Sequence, residues 1–194
     1  MIIEQMTSPE FTAGLKKTTT AILPLGSVEE HGLHLPLSTD TMHIEALARA
    51  AAEEVDVFVA PAIPYGLCRS TSDHPGTVSI SFDTVRALVK DVGQSLYRQG
   101  LRRLILATGH AGFSHQAAMI EAGEDLSRTC PELIVAVVSV VDLLVHQVAQ
   151  KLSRITRAFI SISLTGLPLM SGRTMSGKTP AIFPPSPEQD IRSR

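Results

Sequence analysis

Four short runs of almost unbroken apolar residues constrain this chain more than any other feature. They are "TTTAILPLG" (Thr18–Gly26), "VDVFVAPAI" (Val55–Ile63), "LRRLILATG" (Leu101–Gly109) and "ELIVAVVSVV" (Glu132–Val141). A strand with one wet face alternates apolar and polar residues, whereas a strand covered on both faces need not. Such runs are therefore expected as strands of a parallel sheet with helices on either side. The intervening segments carry a helical period. In 40–54, Ile44, Leu47, Ala48 and Ala51 recur at i, i+3, i+4 and i+7, with Thr39 or Asp40 as the candidate N-cap. In 82–100, Val85, Leu88, Val89, Val92 and Leu96 share one face, and Gly100 is expected to close the helix. Residues 114–128 also read as helix, "TVSIS" as a short strand, and "YGLCRSTSDHPG" (Tyr65–Gly76) as a long loop.

Composition narrows the function classes. A length of 194 residues suits one domain, and a hydrophobic content of 44% supports a sizeable core. Aromatic residues are only 4% and Trp is absent, so the core is expected to be aliphatic and alanine-rich. A formal net charge of −2 offers no basic face for a nucleic-acid backbone. No run reaches the roughly 18 apolar residues of a membrane span. The N-terminus "MIIEQMTSPEF" lacks the basic start and apolar core of a signal peptide, so a cytoplasmic location is expected. Cys68 and Cys130 are too few for a disulfide framework and read as free thiols.

The chemistry gathers where the first strand ends. "LGSVEEHGLHLPLSTD" (Leu25–Asp40) places Glu29, Glu30, His31, His34 and Asp40 close together. "TGHAGFSH" follows the third run and holds His110. In an open parallel sheet these loops share the rim at the strands' C-terminal ends, where ligands bind. Carboxylate and imidazole suit zinc- and manganese-type divalent ions. Glu29 and His31, two apart, can face one side of an extended loop. Asp40 could bridge two ions through its two oxygens, and His110 could close the site from the neighbouring strand. Plainer readings stand beside this one: Asp40 as a helix cap, Glu30 as a surface carboxylate, and the loop histidines as solvated side chains. No Gly-x-Gly-x-x-Gly motif follows a strand and no Walker motif occurs, which argues against a nucleotide-binding protein.

"LPLGSVEEHGLHLPLSTD" resembles the signature of the creatininase family of metal-dependent amidohydrolases. "PGTVSI" (Pro75–Ile80) is similar to that family's Pro-Gly-Thr segment, and "TGHAGF" to its Asn-Gly-His-Gly-Gly-Asn loop. The resemblance covers roughly residues 18–142. It implies a three-layer α/β/α fold with a mainly parallel sheet. It implies two divalent ions (zinc, or else manganese or iron) held by Glu29, His31, Asp40 and His110, with Asp40 as the bridge. The implied activity is hydrolysis of a non-peptide C–N bond, in a small cyclic amide or formamide, by a metal-bridging hydroxide. The implied partners are a small-molecule amide and further copies of the chain, hexamers being common in the family.

Other residues take expected roles around that centre. His34 is expected to orient a ligand and, with Glu30, is a candidate for the proton chemistry; His115 is a weaker one. Arg69 is a candidate for a substrate carboxylate or phosphate, His74 for a substrate contact, and Gly109 for close backbone approach to a ligand. Several positions depart from the family pattern. Thr108 and Phe113 replace two asparagines, and Gly112 stands where creatinine-hydrolysing members carry a glutamate. The family's His-Ala-Gly-Glu-x-Glu-Thr segment is not found. Residues 1–165 are accordingly expected to form the hydrolase domain, incomplete at its C-terminal end, with 166–194 an irregular tail. The alternative is a catalytically impaired or truncated member that acts as a binding or subunit protein.

Overall fold

The computed structural model describes residues 1–144. The far end of the domain expected to span 1–165 and the tail expected at 166–194 lie outside these residues.

The four apolar runs form a four-stranded sheet: β1 (Thr20–Leu25), β2 (Phe58–Val59), β3 (Arg103–Thr108) and β4 (Ile134–Ser139). The strand order is β2-β1-β3-β4 and every pairing is parallel. β1 and β3 run in full register from Thr20–Arg103 to Leu25–Thr108. The helices are α1 (Ser8–Gly14), α2 (Thr39–Glu54), α3 (Phe82–Arg98) and α4 (Phe113–Thr129).

Two packed cores explain why β1 needs no polar face. Ala21, Leu23 and Leu25 of β1, with Leu104 and Leu106 of β3, point to one side. There they meet Val85 and Val89 of α3 and Ala118, Met119, Ala122 and Leu126 of α4. The alternate residues Ile22 and Ala107 point to the other side and pack on Ile44 and Ala48 of α2. Each large aliphatic side chain buried this way contributes roughly 1.5–3 kcal/mol. The result is the expected three-layer arrangement of helices around a mainly parallel sheet.

Several local expectations need correcting. β2 keeps only two paired residues of the nine-residue run, and further along a single bridge joins Leu25 to Ile63. "TVSIS" forms no strand; Val78 and Ser79 make isolated bridges to Val28 and Gly66. These bridges fasten the ligand loop instead of extending the sheet. Ser38, not Thr39 or Asp40, caps α2, and it does so without a side-chain bond. Leu88 is 39% exposed, so the buried face of α3 runs through Val85, Val89 and Gly93. Gly93 is needed there, because a Cβ would lie 2.5 Å from Leu126 Cδ1. β4 is an edge among the described residues, and its Ile134 is 66% exposed. Gly100 does close α3, with a φ of +105° that favours glycine.

α1, at Ser8–Gly14, has no counterpart among the segments expected from hydrophobic periodicity. Thr7 and Glu10 form a reciprocal capping box at its start. Its Phe11 stacks on Phe58 with ring centroids 4.9 Å apart.

Candidate metal centre

Strand order reverses between β1 and β3. β1 leads through α2 to β2 on one side, and the chain then returns to place β3 on the other. A crevice opens at such a switch point, outside the strands' C-terminal ends. Two glycines let the N-terminus of α2 enter it. A Cβ on Gly26 would lie 2.1 Å from Thr41 Oγ1, and one on Gly109 would lie 2.1 Å from the Asp40 carbonyl oxygen. With those positions bare, Asp40 sits between the exits of β1 and β3.

Four side chains converge there. His110 Nδ1 lies 2.6 Å from Glu29 Oε1 and 3.0 Å from Asp40 Oδ2. His31 Nε2 lies 3.0 Å from the other Asp40 oxygen, Oδ1. Asp40 thus turns one oxygen to each imidazole. Hydroxyls hold the carboxylates: Ser27 donates to Asp40 Oδ2 at 2.7 Å, and Thr71 donates to Glu29 Oε2 at 2.5 Å. The loop itself is tied down by Glu29 N–H to the Leu37 carbonyl and Glu30 N–H to Thr77 Oγ1.

The second nitrogen of each ring sets its tautomer. His31 Nδ1 lies 3.0 Å from the Glu29 carbonyl, and His110 Nε2 lies 3.1 Å from the Leu67 carbonyl. A carbonyl only accepts, so those nitrogens carry the proton. The free nitrogens, His31 Nε2 and His110 Nδ1, therefore face carboxylate oxygens. A lone pair aimed at a carboxylate is repulsive unless a proton or a cation lies between them. Rings anchored by a carbonyl and free at the other nitrogen are the usual form of metal-binding histidines. The donor set thus fits divalent cations. Glu29, His31 and Asp40 present ligand atoms within 4.8 Å of one another, and so do Glu29, Cys68 and His110.

The charges follow this geometry. Burial opposes ionisation of Asp40, but hydrogen bonds from His110 and Ser27 outweigh it and hold the carboxyl at about 2. Burial also disfavours charge on His31, yet the Glu29 carbonyl and the Asp40 carboxylate raise its pKa above the ordinary 6.5. His110 is raised for a similar reason, burial being outweighed by the bond to Asp40 and the nearby Glu29 charge. His115 behaves oppositely. Burial, with His110 beside it, pushes it down to about 4 and keeps it neutral. Its Nδ1 accepts the Leu67 N–H at 3.3 Å, and its buried Nε2 has no partner among the described residues.

The centre forms one wall of a cleft of about 500 Å³, a size typical of small-ligand sites. Glu30, Arg69, Thr71 and Phe113 also line it. Phe113 is 91% exposed at its rim. His34 and His74 are exposed and are not among the lining residues. Gly109 is not among them either; its constraint is the contact with the α2 backbone. Ser27, Thr71 and the Leu67 carbonyl were not legible as site residues in the sequence. A hydroxyl or carbonyl has no ligand-like spacing, and Leu67 and Thr71 come from a loop whose path is set by tertiary bridges.

A sequence model of the family described as creatinine amidohydrolase matches residues 4–160. The chain belongs to the creatininase family. Among curated relatives, the mycofactocin precursor peptide peptidase of Mycolicibacterium smegmatis is 36% identical over 97 residues, 47% of this chain and 39% of that protein. The creatinine amidohydrolase of Pseudomonas putida is 33% identical over 94 residues, 46% of this chain and 36% of that protein. The 3-dehydro-scyllo-inosose hydrolase of Thermotoga maritima is 30% identical over 110 residues, 55% of this chain and 35% of that protein. Each of these matches spans well under half of the relative's length. Among solved structures, a mutant creatininase of Zn–Zn type superposes with a TM-score of 0.68 at 26% identity, covering 74% of this chain and 59% of that one. A manganese creatininase superposes at 0.63 and 27% identity, covering 71% and 57%. Among the described residues, no helix is long and apolar enough to cross a membrane.

Proposed function

We propose that this creatininase-family chain is a metal-dependent amidohydrolase that cleaves a non-peptide C–N bond in a small cyclic amide or formamide. The observation that carries the reading is the shared focus of Glu29, His31, Asp40 and His110 in one cleft, with both imidazoles anchored so that their free nitrogens face inward. The names of the relatives support hydrolysis, and the Zn–Zn and manganese forms of the solved neighbours support a divalent pair.

Two divalent ions, when bound, would polarise a carbonyl and lower the pKa of water to near neutrality. Glu29 and His110 would hold one position, His31 the other, and Asp40 both. Ser27 and Thr71 fix the carboxylates, so that binding a cation needs little rearrangement. The Leu67 carbonyl keeps the His110 proton on Nε2 and leaves Nδ1 as the ligand atom. Glu30 lines the cleft with its carboxylate, which accepts the Gly32 N–H at 2.6 Å, and can take a proton from water or return one to a leaving nitrogen. Arg69 offers a guanidinium to an acidic or carbonyl group of the substrate, and Phe113 offers a flat apolar wall. Copies of the chain are proposed to assemble as a homo-oligomer.

Metal analysis of the purified full chain should find bound divalent metal. A panel of cyclic amides and formamides should then reveal hydrolysis that chelation abolishes and zinc or manganese restores. His31→Ala and Asp40→Ala should each lose about 100-fold or more of that activity, the upper range for groups that support a metal. Two bound metals with no turnover on any member of the panel would favour a binding or subunit role instead.

A further inference from the structure

Glu29 and His110 have a third neighbour that the cleft does not expose. Cys68 is 1% exposed and follows Leu67, the residue whose carbonyl anchors His110. Its sulfur, a Glu29 oxygen and a His110 nitrogen all lie within 4.8 Å of one another. Ligands around one tetrahedral ion, with bonds of about 2.0–2.3 Å, stand roughly 3.3–3.8 Å apart, so small side-chain adjustments inside the 4.8 Å limit would bring the three atoms to one ion. The Cys68 thiol makes a long contact of 3.8 Å to the Gly66 carbonyl and also lies beside the Ser27 hydroxyl and the Glu29 carboxylate, so it already faces the candidate ligands. Its backbone is fixed, because the Cys68 N–H donates to Ser79 Oγ at 2.9 Å. The group lies behind the carboxylate and imidazole, not among the residues that line the cleft. That position suits a ligand approaching from the protein side and is wrong for a nucleophile that must meet a substrate.

We propose that Cys68 is a sulfur ligand of the Glu29–His110 metal position and biases that position toward thiophilic ions such as zinc and cobalt over manganese. The inference rests on the metal-site reading above and goes beyond it by separating the two positions. His31 and Asp40 Oδ1 offer one position nitrogen and oxygen alone. The other also has sulfur, which shifts preference toward softer ions. On binding, the thiol proton is released to solvent and the sulfur lone pair is donated to the cation, so no oxidant or reductant is involved.

The test is titration of the chelator-stripped full chain with Co²⁺, followed by absorption spectroscopy. A near-ultraviolet sulfur-to-cobalt charge-transfer band, beside the visible bands of a nitrogen- and oxygen-bound ion, is the expected result. Cys68→Ser should lose the ultraviolet band and keep the visible ones. Its preference for Zn²⁺ over Mn²⁺ in competition should fall by about tenfold or more. If that variant does not fold, Cys130→Ser answers from the other side. Cys130 caps the far end of the 17-residue α4, roughly 25 Å from the helix start beside the cleft. The band should persist in Cys130→Ser. Visible cobalt bands with no charge-transfer band, or a band lost in Cys130→Ser, overturn the assignment and leave the metal-site reading intact. No cobalt binding at all overturns both.

Discussion

Asp40 is the residue on which the centre turns. Each of its oxygens faces an imidazole nitrogen, and it stands at the start of α2, where a helix end favours an anion. In the metal-free chain the two histidines supply the compensating charge. Their pKa values are raised, so their contribution to stability is complete below the ordinary 6.5 and is lost as pH rises through the folded-state values. Urea midpoints of chelator-treated protein should therefore fall as pH rises above the ordinary 6.5 of the imidazoles. Asp40→Asn should flatten that decline, since it removes the anion facing both rings. At the acid end the sign reverses. A carboxyl held at about 2 stabilises the fold above its ordinary 3.8 and loses that contribution as pH drops toward 2. A midpoint that rises from neutral to alkaline pH in stripped protein would contradict this assignment of charge.

Among the elements, α2 and the two helices on the opposite face do different work. α2 delivers Asp40, a proposed ligand, and its approach depends on Gly109, where an added Cβ would meet the Asp40 carbonyl at 2.1 Å. Gly109→Ala should destabilise the chain by about 1–3 kcal/mol. It should also weaken Co²⁺ binding, because relief of the clash moves Asp40; a variant with unchanged cobalt affinity would disprove that link. α3 and α4 supply packing. Arg86 of α3 pairs with Asp125 of α4 at 2.6 Å across their junction, and Leu126 fills the notch at Gly93. Leu126→Ala should cost about 2–5 kcal/mol in urea unfolding. Leu88→Lys should stay within about 0.5 kcal/mol, although periodicity alone would place Leu88 in the core. Equal losses for the two variants would mean that α3 is rotated from its position in the structure.

At the scale of the whole molecule, the proposed cation binding would be linked to folding. The proposed ligands come from positions 29, 31, 40 and 110, so they meet only once β1, α2 and β3 have assembled. A cation that binds the folded chain alone stabilises it by about 2.7 kcal/mol at a hundred times its Kd. Zinc added to stripped protein should raise the melting temperature by several degrees, with little change in His110→Ala. An equal rise in that variant would place binding elsewhere. The described part of the sheet also ends on β4, whose Ile134 is exposed.

Unbroken apolar runs and helical periods were enough to read a parallel sheet with helices on both faces, because burial on two sides removes the need for alternation. Residue type and position at strand exits singled out Glu29, His31, Asp40 and His110, and the fold brings these four side chains to one cleft as candidate ligands. Boundaries were not legible. β2 shrinks to Phe58–Val59 and "TVSIS" dissolves into bridges, since pairing partners are chosen across the fold and not within a segment. Ser27, Thr71 and the Leu67 carbonyl, which fix Asp40, Glu29 and His110, left no signal, because a hydroxyl or carbonyl gains its role only from what packs against it. Cys68 read as a free thiol for the same reason. Only the folded loop brings its sulfur within 4.8 Å of ligand atoms on Glu29 and His110, two residues that are themselves 81 positions apart.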